Sequence, residues 1–148
     1  MNQWKLWISL AALVLLLTLA ACGGAAAPAA PAADAPAASE VVLEDLPQNI
    51  DVHTAYDIQN DPDVFMLDVR EQVEYDEKHI PGITLMPMNS IPNRLDEIPT
   101  DKTVVVTCRT GNRSGQVTEF LRANGFDNAH NMNGGIVDWE NAGYPVER

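Results

Sequence analysis

The sequence predicts an α/β domain: a central parallel sheet of about five strands with helices on both faces. Three observations predict it. Short apolar runs alternate with stretches of helical spacing over the second half of the chain. The run Val104 to Val106 is β-branched and apolar throughout, as suits a strand covered on both faces. The strongest run, Val104-Val105-Val106, leads into Cys108, a tight loop through Gly111, and a helix from Ser114. In that helix Val117, Phe120 and Leu121 fall at i, i+3 and i+4 on one face.

The elements follow in order. Ile50 to Ile58 reads as a short strand end followed by a helix capped by Thr54 or Asp51. Asp61-Pro62-Asp63 is a turn. Val64 to Val69 is a second buried strand, with Asp68 and Arg70 at its end. Glu71 to Lys78 is a short helix, broken by Pro81-Gly82. Ile83 to Met86 is a third strand, limited by Pro87. Ser90 to Glu97 is a short helix with Pro92 near its start, where proline is tolerated. Pro99 and Asp101 turn the chain into the central strand at Thr103. The long helix stops at Asn124-Gly125, and Ala129 to Met132 is the last strand. Gly134-Gly135 then opens a helix carrying Ile136 and Trp139. No internal repeat is present.

Cys108 is the residue with the clearest chemistry. It stands at the carboxyl end of a strand and ahead of a helix N-terminus, where unpaired backbone N–H groups and the positive end of the helix dipole converge. A thiol there loses its proton more easily, and the thiolate is the nucleophile. Arg109 and Arg113 add local positive charge. Free cysteine is often a buried core residue, but the flanks here are Thr107, Arg109, Thr110 and Gly111 rather than apolar.

Cys108-Arg-Thr-Gly-Asn-Arg-Ser114 resembles the active-site loop of the rhodanese-like sulfurtransferases. Further matches follow in the family's order: Leu67-Asp-Val-Arg-Glu71, Glu74-Tyr75, His79-Ile-Pro-Gly82 and Gly134-Gly-Ile-Val-Asp-Trp139. The resemblance covers roughly the last two thirds of the chain. It implies a single rhodanese-like domain over residues 41–148, since the length leaves no room for the two-domain form. It implies sulfur transfer through a Cys108 persulfide, from thiosulfate or a persulfide donor to a thiol or cyanide acceptor, with no cofactor. The backbone N–H groups of Arg109, Thr110, Gly111, Asn112 and Arg113 would cradle the charged sulfur as an anion nest. Four residues separate Cys108 from Arg113. That is the family's loop; related phosphatases and arsenate reductases carry one residue more. A non-catalytic module carrying persulfide or sulfide for a membrane partner, or serving as a docking surface, is the alternative.

For other residues the expectation is structural. Asp68 reads as an ion-pair partner at a strand end, while Arg70 is placed at the pocket rim because ligands bind outside the carboxyl ends of α/β strands. The resemblance places His79 in a scaffold turn, and Gly134, Gly135 and Trp139 pack the last helix against the sheet. His53 and His130 show no ligand spacing, so no metal site is expected.

The start of the chain reads as an address. An apolar run from Leu6 to Ala21 follows a single positive charge, Lys5, and is short for a membrane span. It ends Leu19-Ala-Ala-Cys22, which resembles a bacterial lipobox. Residues 1–21 are therefore expected to be a lipoprotein signal peptide and Cys22 the lipidated residue; an uncleaved N-terminal anchor is the alternative. Residues 22–40 form an Ala/Pro-rich linker, extended and without large side chains. Either reading tethers the domain to the outer side of the cytoplasmic membrane, or to an outer membrane. From Val41 to Arg148 there are 19 acidic against 8 basic residues, which argues against nucleic acid as a partner. With Cys22 lipidated, Cys108 has no disulfide partner, so a lone thiol is kept in an oxidising compartment.

Overall fold

The structure is a computed structural model that describes residues 41–148. The predicted signal peptide, Cys22 and the linker lie outside the described residues. Five strands form one sheet: β1 (Asn49–Ile50), β2 (Val64–Asp68), β3 (Thr84–Leu85), β4 (Thr103–Thr107) and β5 (Ala129–Met132). Their spatial order is β1-β5-β4-β2-β3, and every pairing is parallel. Parallel neighbours need crossovers, and α1 (Val52–Ile58), α2 (Gln72–Glu77), α3 (Asn112–Ala123) and α4 (Gly135–Asn141) stand in or beside these connections.

The period-2 alternation of the strands divides the core into two layers. Val104, Val106 and Cys108 point to one face with Leu67 and Val69, and pack on Val117 and Leu121 of α3. Val105 and Met66 point to the other face, against Ala55 and Ile58 of α1 and Ile136 and Trp139 of α4. All three valines of β4 are fully buried, as its central place in the sheet demands.

Three local expectations change. Ser90 to Glu97 is not an α-helix but two 3-10 turns, Met88–Asn93 and Leu95–Glu97. Pro92 lies inside the first turn and lacks the N–H an α-helical ladder needs. The bonds formed instead are i→i−3: Ser90 N–H to Pro87 O, Arg94 N–H to Ile91 O and Glu97 N–H to Arg94 O. α3 begins at Asn112, two residues before the expected Ser114, because Gly111 adopts φ +91° and serves as its N-cap. The buried stripe of α3 is Ser114, Val117, Thr118 and Leu121. Phe120 is left 37% exposed beside that stripe and does not share the face of Val117 and Leu121.

Candidate active site

Cys108 follows the last residue of β4, and its side chain is buried, with 1% of the residue exposed. The next four residues fold back so that groups of the loop and of the first turn of α3 meet the sulfur. The Gly111 N–H donates to Cys108 Sγ at 3.2 Å, and the Ser114 hydroxyl donates to it at 3.4 Å. Burial pushes the Cys108 thiol up, because a buried thiolate loses its hydration. The Ser114 hydroxyl and the N–H groups of Ser114, Thr110 and Gly111 more than offset this and hold it below the ordinary thiol value. The groups that lower it thus belong to Thr110, Gly111 and Ser114. Ser114 was absent from the residues expected on sequence grounds. Its signal was available: a small hydroxyl in the first turn of a helix, placed i, i+3, i+7 with the apolar Val117 and Leu121.

The loop is held from behind by α4. The Ile136 N–H donates to Cys108 O at 2.9 Å, and the Val137 N–H donates to Arg109 O at 3.1 Å. This close approach requires Gly135, where an added Cβ would come within 2.5 Å of Cys108 O and 2.6 Å of the Arg109 carbonyl carbon. Gly134 caps α4 with φ +81°. Trp139, fully buried, anchors the same helix and donates from Nε1 to Pro145 O at 2.9 Å.

The two arginines of the loop differ. Arg113 grips Glu74 with both terminal nitrogens, each at 2.7 Å. Those bonds hold the Glu74 carboxyl down at about 2 against the opposing effect of its partial burial. Glu74 also closes a capping box with Glu71 at the start of α2, so this pair ties α2 to the loop. Arg109 is exposed, and its side chain makes no hydrogen bond or ion pair among the described residues. Thr110 and Asn112 are exposed, and Asn112 Oδ1 accepts from Gln116 Nε2 at 2.9 Å.

Asp68 and Arg70 form a buried pair at the end of β2, 1% and 2% exposed, with Arg70 Nη2 2.6 Å from Asp68 Oδ2. Arg70 also donates to Glu74 O at 3.1 Å and Lys78 O at 2.8 Å, pinning the last turn of α2 over the strand end. Most of its donors are therefore committed to the protein, although its side chain still borders a small cavity. That cavity, of about 190 Å³, lies between α2, the loop and α4 and is also lined by Glu74, Glu77, Lys78, Arg109, Ile136 and Val137. A larger hollow of about 700 Å³ lies at the opposite, amino ends of the strands, beside Asp63, Thr103 and Asn128. Ligands of α/β sheets bind at the carboxyl ends, the end at which the smaller cavity lies, with Arg109 but not Cys108 among its lining residues. His79 is part of the scaffold: it stacks on Tyr75 at 3.9 Å, its Nδ1 is 3.0 Å from Tyr75 O, and its backbone bridges to Glu147.

Comparison with known proteins gives the same picture. The family profile described as "Rhodanese-like domain" matches residues 51–142. A sulfurtransferase of Allochromatium vinosum is 39% identical over 84 residues, covering 57% of this chain and 78% of that protein. The thiosulfate sulfurtransferase GlpE of Actinobacillus pleuropneumoniae is 29% identical over 98 residues, covering 66% of this chain and 91% of that protein. The crystal structure of a rhodanese-related protein from Thermoplasma volcanium superposes with a TM-score of 0.63 at 31% identity, covering 68% of this chain and 98% of that one. With the matched span taking in β2 to α4 and the strand order that positions Cys108, the chain belongs to the rhodanese-like domain family.

Proposed function

We propose that this protein is a sulfurtransferase that moves a sulfane sulfur through a persulfide on Cys108. Family membership and relatives named as sulfurtransferases support sulfur transfer in general. The observation that carries the assignment to Cys108 is the convergence of the Gly111 N–H and the Ser114 hydroxyl on its buried sulfur.

In the first half-reaction the Cys108 thiolate attacks the outer sulfur of thiosulfate, the S–S bond breaks, and sulfite leaves with the electron pair. The Cys108 persulfide anion forms, and no oxidant is consumed. With a persulfide donor R–S–SH the leaving group is R–S⁻. In the second half-reaction cyanide or a thiol attacks the outer sulfur of the persulfide and Cys108 returns as thiolate. The loop donors are set before reaction, so they stabilise the charged sulfur without reorganising. Arg109, exposed and without a hydrogen-bond or ion-pair partner among the described residues, attracts an anionic donor.

Incubation with thiosulfate or a persulfide, followed by intact mass measurement, tests the assignment. The expected result is a gain of one sulfur atom that is lost on cyanide treatment and absent in Cys108→Ser. No adduct with any sulfane donor would overturn it and leave a docking module.

We further propose export and lipidation at Cys22, on the strength of the Leu19-Ala-Ala-Cys22 segment alone. Acyl chains on an N-terminal Cys22 in protein purified from bacterial membranes would support this; an intact Met1 would overturn it.

A further inference from the structure

The Cys108 loop rests on the connection between β5 and α4. At Gly111 an added Cβ would come within 3.1 Å of Gly134 N, 3.2 Å of Asn133 Cα and 3.3 Å of Met132 O. One turn on, a Cβ at Gly115 would lie 3.5 Å from Asn131 Nδ2. The Gly115 N–H donates to Gly111 O at 3.0 Å, so these glycines bound the first turn of α3 and both face this seat. The same turn presents the Gly111 N–H to Cys108 Sγ.

One side chain ties the seat together. Asn131 Nδ2 donates to Asn49 Oδ1 of β1 at 2.9 Å and to Asn133 Oδ1 at 3.0 Å. Asn133 is among the residues Gly111 packs on. Asn131 is 4% exposed, and its own Oδ1 is buried with no hydrogen-bond partner among the described residues. Buried polar groups are nearly always bonded, because an orphan keeps its full desolvation cost. Asn49 and Asn133 are exposed and can turn to water when Asn131 is replaced. An apolar side chain of similar shape at 131 would remove the orphan oxygen and leave neither neighbour buried and unpaired. Stability is therefore a weak reason for asparagine here. What the residue supplies is a pair of donors under the loop.

Resting on the proposed sulfur transfer, we infer that Asn131 is a positioning residue: its amide fixes Asn133 beneath Gly111 and so aims the Gly111 N–H at the Cys108 sulfur. It acts through Asn133 and Gly111 and forms no hydrogen bond to Cys108 itself. Thr118 supplies the control. It too lies on the α3 side of the sheet, fully buried, and its Oγ1 likewise has no partner among the described residues. Unlike Asn131, it donates to nothing in the seat.

The test measures three quantities in the wild type, Asn131→Leu, Asn133→Ala and Thr118→Val: the thiolate absorbance titration of Cys108, kcat/KM for sulfur transfer from thiosulfate, and the urea midpoint. In Asn131→Leu the thiol is expected to ionise at higher pH, and kcat/KM to fall on the order of tenfold, as a small misplacement of a reacting group produces. The urea midpoint stays at or above that of the wild type. Asn133→Ala, a change at an exposed position, moves the ionisation in the same direction and decides the matter alone where Asn131→Leu does not fold. Thr118→Val moves neither ionisation nor transfer. An unchanged thiol ionisation in the asparagine variants overturns the inference. An equal shift in Thr118→Val overturns it too, because general packing between α3 and β5 would then be the cause. The titration needs no sulfur donor. A wild type that takes no sulfur from thiosulfate or persulfides defeats the sulfurtransferase reading, while the shift in ionisation still tests the positioning role.

Discussion

Arg113 and Glu74 form a two-pronged ion pair, 2.7 Å on each side, that joins the first turn of α3 to the first turn of α2. One of the two arginines expected to add positive charge beside Cys108 is thus paired with a carboxylate. What brings the ionisation of the Cys108 thiol to lower pH is the set of short-range donors, above all the Ser114 hydroxyl and the amides of Ser114, Thr110 and Gly111, acting against its burial.

Removal of the Ser114 hydroxyl should therefore move the ionisation of Cys108 upward. A hydrogen bond to a charged group contributes about 1.5–3 kcal/mol. In Ser114→Ala, sulfur transfer measured well below the thiol's ionisation should fall about tenfold, and the acid limb of the kcat/KM profile should shift to higher pH. The thermal midpoint should change little by comparison.

The Arg113–Glu74 pair should contribute to stability with a definite pH dependence. Its carboxyl is held down at about 2 from an ordinary 4.5, so its contribution is complete above about 4.5 and is lost as pH falls through about 2. Both partners are partly exposed, which limits the contribution to about 1 kcal/mol. Urea midpoints of the wild type and Glu74→Gln should differ by a constant amount at neutral pH and converge toward pH 2.

Gly135 should tolerate no side chain. A Cβ would press on the backbone of Cys108 and Arg109 from a residue at φ +58°. The conformational cost of about 1–2 kcal/mol adds to an overpacking cost of about 1–3 kcal/mol. Gly135→Ala should unfold at clearly lower denaturant, and any folded fraction should lose activity because the loop is displaced. Gly82→Ala is the control: φ is +74° but no atom lies within 4 Å, so only the conformational cost applies.

Cutting the buried pair at the end of β2 should be more costly than losing the Glu74 clamp. In Asp68→Asn the Arg70 guanidinium stays buried without the carboxylate that neutralises it, which costs about 3–5 kcal/mol. Chemical denaturation at neutral pH checks this directly.

Much of the fold could be read from the chain because its punctuation is strong. An apolar run marked β2 and a β-branched run marked β4, and Ala129–Met132 matches β5 residue for residue. Asp51 caps α1 by accepting from Thr54 N–H at 2.8 Å, one of the two caps expected. What escaped depends on contacts distant in sequence or on competing local bonds. The short strand end at Ile50 was legible, but its pairing with β5, far along the chain, was not. The i→i−3 bonding around Pro92 is a local preference that apolar spacing does not report. The site divides the same way. Cys108 and its helix followed from strand, loop and spacing. The neutralisation of Arg113 by a residue 39 positions away, and the commitment of Arg70 to the carbonyls of α2, followed from packing alone.

The account stands on the ionised state of one sulfur. Ultraviolet titration of thiolate absorbance in the described domain, with Cys108→Ser as the blank, measures it directly. The midpoint is predicted to lie below that of an ordinary cysteine thiol, and to rise in Ser114→Ala. A midpoint at or above the ordinary value, unmoved by Ser114→Ala, would contradict the account.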